Sequence, residues 1–170
     1  MKTLSITITL AVLAGARVMA ADAPGHKADA AHAGAVSLNT AEIKWVAAPP
    51  DLPKGAELAV LHGDPSKKAP FTLRLKLPAG YRIAPHWHSK DEQLTILAGT
   101  FVLHMGDTMD APAASLAAGG YHFLPGKMHH AAETKGEVIL QLDGVGPFDI
   151  HYLDPADNPN PTATGAKTKR

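Results

Sequence analysis

Whatever chemistry this chain performs must use nitrogen and oxygen, because its sequence holds ten histidines and no cysteine. The absence of thiols excludes disulfides, thiolate metal sites and cysteine nucleophiles. Candidate ligands are densest in residues 80–99, GYRIAPHWHSKDEQLTILAG. Successive side chains of an extended strand alternate faces, so His86 and His88 share one face while Trp87 takes the other, and both imidazoles can reach one ion. After a short Ser-Lys-Asp turn, a returning strand can bring the Glu92 carboxylate alongside them. Three ligands then come from a single hairpin. A fourth must arrive from elsewhere, and residues 119–130, GGYHFLPGKMHH, offer His130 after a Pro-Gly turn, with His129 as the alternative should the turn be one residue shorter. Adjacent strand residues face opposite ways, so only one of the two can ligate, and His130 is the preferred one.

Three neutral imidazoles and a carboxylate leave one or two coordination positions for water, substrate or dioxygen, which suits a reactive rather than a purely structural site. Iron, manganese, nickel, copper and zinc all accept such mixed ligation, and affinity alone favours copper or zinc. Glu92, Tyr81, His122 and Glu133 are the candidates for moving a proton. Each of the last three also has an ordinary reading, as a rim aromatic, a polar strand residue and a surface charge. A His-x-His pair by itself is equally at home on a polar strand face. His104 alternates against Phe101, Leu103 and Met105 and is expected on the outer face with Val102; by the same alternation His151 is set opposite Ile150 and Tyr152. His26 and His32 fall in an alanine-rich segment and are expected to be solvated.

The elements that must position these groups read as short strands: 43–47, 57–62, 71–77, 81–88, 93–98, 100–105, 121–124, 137–142 and 148–153. Phe71, Leu73, Leu75 and Leu77 alternate with Thr72, Arg74 and Lys76, the period of a strand with one buried face. Many short strands punctuated by glycine and proline predict an all-β sandwich or barrel, closed so that no edge is left unpaired.

With these residues in place, the spacing of Gly80, His86, His88, Glu92 and Gly99 resembles the first motif of the cupin superfamily at every interval. Gly119, Pro125 and His130 are similar to the second motif. The resemblance implies a double-stranded β-helix, or jelly-roll barrel, over roughly residues 43–153. It also implies one divalent metal held by His86, His88, Glu92 and His130, and often a homodimer. The second motif departs from the family pattern at Lys127, where glycine is usual and is displaced to Gly126, and at Thr134, where asparagine is usual. Cupins include dioxygenases, isomerases, lyases and non-catalytic binders, so the fold alone does not choose a reaction.

At the N-terminus, Lys2 precedes an apolar stretch from Leu4 to Ala16 and small residues around Ala20 and Ala21, which reads as an export signal over residues 1–20 cleaved near those alanines. The stretch is shorter than the roughly 20 apolar residues of a bilayer span. A periplasmic or secreted protein is expected. Residues 21–35 read as a flexible leader and 156–170 as a disordered tail, both poor in bulky apolar side chains. That leaves one domain, residues 36–155. Sixteen basic residues against sixteen acidic ones give no sign of nucleic-acid binding. The function expected is that of a small-molecule metalloenzyme, with dioxygenase-type or Lewis-acid lyase and isomerase chemistry, in an apolar barrel mouth lined by residues such as Leu94, Ile96, Phe101 and Phe123; the alternative is a metal or small-ligand binding protein without turnover.

Overall fold

A computed structural model describes residues 34–160. Eleven strands are present among them: β1 (Val46–Ala47), β2 (Glu57–His62), β3 (Pro70–Leu77), β4 (Arg82–Trp87), β5 (Glu92–Ala98), β6 (Thr100–Met105), β7 (Ala113–Ala117), β8 (Tyr121–Leu124), β9 (His130–Thr134), β10 (Val138–Val145) and β11 (His151–Tyr152). They form two sheets in which every pairing is antiparallel, one in the order β1-β2-β3-β10-β5-β8 and the other β11-β4-β9-β6-β7. This is the jelly-roll arrangement of an all-β cupin fold, as the sequence predicts. No helix among the described residues is long and apolar enough to cross a membrane.

The alternation in β3 does what its period dictates. Phe71, Leu73, Leu75 and Leu77 are buried, and Leu75 and Leu73 lie opposite Leu140 and Leu142 of β10. Ile96, Val138, Phe101 and Leu103 continue the same core between the sheets. Gly99 makes the sharp connection from β5 to β6 with φ +79°, and a Cβ there would stand 2.2 Å from the carbonyl oxygen of Glu137, so the position excludes any side chain.

Two strands escape sequence detection. β7 (AASLA) and β9 (HAAET) hold one leucine and otherwise no bulky apolar residue, so they carry no apolar alternation to read, and pairing with their neighbours makes them strands. Conversely, the run expected at 43–47 shortens to β1 behind a 3-10 turn at Thr40–Glu42, and that expected at 148–153 shortens to β11. The stretch read as a tail opens with a 3-10 turn, Pro155–Asp157, in which Asp154 accepts a hydrogen bond from the Ala156 amide. The export signal, most of the leader including His26 and His32, and residues 161–170 lie outside the described residues.

Candidate metal centre

β4 pairs with β9, and the register shifts between Ile83 and His86: Ile83 faces Ala132, and His86 faces His130. β4 thus carries one extra residue, a bulge at Ala84–Pro85, where proline has no amide to donate to the ladder. The bulge lets Ile83 and His86, three apart, both point inward. Its carbonyl is also used, since His86 Nδ1 donates to Ala84 O at 2.7 Å.

The other two imidazoles are anchored in the same way. His130 Nδ1 donates to Met128 O at 3.0 Å, and His88 Nδ1 donates to the carbonyl oxygen of Asp149. A carbonyl can only accept, so each ring carries a proton on Nδ1 and, in its neutral form, presents an unprotonated Nε2. Ring atoms of His86, His88 and His130 that can act as ligands lie within 4.8 Å of one another, and all three residues are buried. Donors about 2.0–2.1 Å from a common ion lie at most about 4.2 Å apart, so a small inward adjustment of the rings brings this group onto one ion.

Glu92, the first residue of β5, closes this group. Its carboxylate oxygens stand 3.4 Å from His88 Nε2 and 3.5 Å from His130 Nε2. His88 Nε2 and Glu92 Oε2 are buried without a hydrogen-bond partner, an arrangement that costs stability unless a cation satisfies both. The donor set and these orphaned atoms fit a divalent metal. Among the described residues, three histidines and one carboxylate predicted from spacing are therefore brought to one place, and His130, not His129, is the inward member of its pair. His129 points away, with Nδ1 2.7 Å from Asp107 on the outside.

Electrostatics follow from burial. Burial, with the neighbouring His130 and His88, pulls the His86 pKa down to about 3. Burial also lowers His130 and His122. Burial opposes ionisation of Glu92, yet the imidazoles of His88, His130 and His122 hold its carboxyl at about 2. His88 is shifted upward, because the Glu92 carboxylate and the Asp149 carbonyl outweigh burial. At neutral pH Glu92 is therefore an anionic carboxylate and His86 a neutral imidazole, the states a metal requires of them.

The remaining candidates separate cleanly. His122 lies opposite Leu94 in the β5–β8 pairing and faces inward, with Nε2 3.7 Å from Glu92 Oε2 and neither ring nitrogen hydrogen-bonded. It is the unanchored imidazole of the interior. Tyr81 is buried rather than a rim aromatic; its hydroxyl donates to Pro53 O at 2.6 Å, and burial raises its pKa. That hydroxyl is a pin for the segment before β2, not a proton carrier. Tyr152 adds a second pin, donating to Asp51 O at 2.8 Å. Glu133 faces outward, 3.8 Å from Arg82 and 3.6 Å from His104, on the opposite side of β9 from His130. His104 is on the outer face as expected, yet it is buried there, with Nδ1 donating to Ala111 O. His151 stacks on Trp87 outside the barrel.

A cavity of about 170 Å³ opens onto His86, His88 and Glu92. Its walls correct the expected lining. Phe123 is 48% exposed, because His122 and Leu124 take the inward positions of β8 and the residue between them must turn out. Ile96 is fully buried in the core, while Leu94 and Phe101, as expected, line space at the site, a second void of about 30 Å³ that also touches His86, Glu92 and His130. The cavity is instead walled by Leu73 and Leu142, by Leu52 from the pinned segment, and by Phe148 and Ile150 from the strap between β10 and β11. Phe148 also stacks on the His88 ring. Sequence spacing gives no signal for this strap, whose Asp149 carbonyl comes 61 residues after the histidine it fixes.

Comparison with known proteins yields a family and a fold. The family model described as domain of unknown function DUF4437 matches residues 17–150. No curated protein matches the sequence. Among solved structures, the polyketide cyclase RemF from Streptomyces resistomycificus is similar at 13% identity and TM-score 0.62, over 76% of this chain and 93% of that one. A protein described as a putative acetylacetone dioxygenase from Methylibium petroleiphilum PM1 is similar at 19% identity and TM-score 0.56, over 72% and 83% of the two chains. An RmlC-like cupin from Shewanella frigidimarina NCIMB 400 is similar at 15% identity and TM-score 0.51, over 64% and 87%. At these identities the likeness is one of fold.

Proposed function

This chain belongs to the family described as domain of unknown function DUF4437, and from its cupin-folded site we propose a metal-dependent enzyme that acts on a small oxygenated molecule. One observation carries the reading: three buried imidazoles, each fixed through Nδ1 to a backbone carbonyl, turn Nε2 toward one point beside a carboxylate, at the wall of an apolar cavity. His86, His88, His130 and Glu92 would hold the ion, which when bound supplies a Lewis acid and open positions for substrate, water or dioxygen. Iron, manganese, nickel, copper and zinc all suit these donors.

The chain's own residues do the rest. The three carbonyl anchors hold the imidazoles in the ligating tautomer without reorganisation. His122 is placed to exchange a proton with Glu92, being 3.7 Å away and otherwise unengaged. Leu73, Leu142 and Phe148 give the cavity an apolar wall. Solved structures of the same fold are described as a putative acetylacetone dioxygenase and a polyketide cyclase, which supports a reaction at an oxygenated carbon skeleton. The apolar stretch from Leu4 to Ala16 supports a place of action outside the cytoplasm.

The test is metal analysis of the native exported protein, followed by oxygen uptake and product formation with phenolic and carboxylic substrates. Turnover that needs the metal and disappears in His86→Ala is expected. Tight metal binding with no turnover across the panel would overturn catalysis in favour of a binding protein.

A further inference from the structure

Resting on that metal-centre reading, we infer that the ligand of this site is a compact molecule of one ring or one short branched chain, with its metal-binding oxygens at one end and no charge at the other. Size follows from the cavity, about 170 Å³. An engineered closed cavity of about 150 Å³ takes up benzene, so the part of a ligand held inside this open-mouthed one is a body of roughly six to ten non-hydrogen atoms. Charge follows from the wall. Away from the histidines and Glu92, the cavity is faced by Leu52, Leu58, Leu73, Leu142, Phe148 and Ile150, and among the lining residues there is no lysine or arginine.

The remaining charged residues on the wall are Asp51 and Asp149. A carboxylate or phosphate on the far end of the ligand would lose its water and meet no cation, while the Asp149 carboxylate is already turned outward to the Ser89 amide and His151. An uncharged apolar end loses nothing comparable and removes apolar surface from water. The head is different: it faces His86, His88 and Glu92, where an oxygen donor would reach the ion. The site thus combines a polar anchor at one end with a dry wall at the other. Leu73 and Leu142, paired across β3 and β10, make that wall part of the core rather than of a loop.

Two probes with the same head test this directly. The protein is reconstituted with cobalt(II), and its visible spectrum is titrated without oxygen with 4-methylcatechol and with 3,4-dihydroxybenzoate, which differ in a methyl group against a carboxylate. The methyl compound is expected to bind tighter on the order of 100-fold, given the cost of an unpaired carboxylate in an apolar site. Leu58→Lys, at a half-buried wall position, places an ammonium on a flexible stem beside the ligand and is expected to improve 3,4-dihydroxybenzoate binding about tenfold or more while leaving the cobalt content unchanged. Full cobalt loading with equal affinity for both probes, a preference for the carboxylate, or no spectral response to either overturns the inference and leaves the metal centre standing. Failure to bind cobalt at all sinks the metal-centre reading itself, and this inference with it.

Discussion

The inner and outer faces of the smaller sheet hold the same residue types and do different things with them. Inside, His86, His88 and His130 converge around Glu92. Outside, each histidine meets a carboxylate of its own: His104 with Glu133 at 3.6 Å, His129 with Asp107 at 2.7 Å, and His151 with Asp149 at 3.0 Å. An isolated histidine–carboxylate pair near water contributes little and supplies only two donors, whereas four donors sharing one dry point favour a cation strongly. What separates a metal centre from surface polarity is convergence together with burial. His122 sits between the two classes, inward and buried but without an anchoring carbonyl.

The largest expected effect breaks the inner set. His86→Ala and His88→Ala should each lose most of the bound metal, at least ~10–100-fold in affinity, by metal analysis after dialysis. His151→Ala should keep its metal, and loss in all three would mean that folding rather than ligation had failed. Glu92→Gln, which keeps the shape and removes the charge, should fall in between.

Acid provides a second way to separate the faces in metal-free protein. His86 has its pKa held near 3 by burial, while the unfolded chain titrates near 6.5. Between those values the unfolded chain binds more protons, so this contribution is complete above about pH 6.5 and is lost as pH falls toward 3. His122 and His130 act in the same direction, and Glu92 adds its own loss below about pH 4.5; His88, shifted upward, opposes them. Thermal unfolding should therefore drop by about 5 °C or more from pH 7 to pH 5. His86→Gln should flatten that slope. A profile that stays level would refute the buried, neutral state of the inner imidazoles.

Two smaller effects sharpen the distinction between ligands and their supports. Tyr81→Phe leaves the Pro53 carbonyl without its donor, and should cost about 1 kcal/mol of stability in denaturant titration while metal content at saturation holds. Lys127→Gly tests the turn that leads to His130. Lys127 takes φ +69°, the left-handed conformation that glycine adopts without strain, and its amide donates to His88 O at 2.7 Å. The replacement should raise stability by about 0.5–1 kcal/mol without changing metal affinity.

Much of this was legible in the linear chain. Strict alternation in β3 announced a half-buried strand, and the His-x-His pair with Glu92 four residues later announced a ligand hairpin, because strand period is a local property. The departure at Lys127 was legible too, and the structure accommodates it by adopting glycine's conformation with a lysine. β7 and β9 were not legible, since alanine and serine carry no periodic signal and such strands exist through their neighbours. The lining was misread at Phe123 because hydrophobicity was taken as a sign of facing inward, when the register of β8 against β5 sets the facing.

By itself, then, the order of residues determined the donor inventory, the β-rich architecture and the side-chain alternation that pairs His86 with His88. Only the tertiary structure decided which of His129 and His130 turns inward, where His122 points, and that Asp149 supplies the carbonyl holding His88 in its tautomer. The reason is that alternation along a strand needs only the neighbouring residues, while register, bulges and cavity walls arise when segments far apart in the chain are paired and packed together.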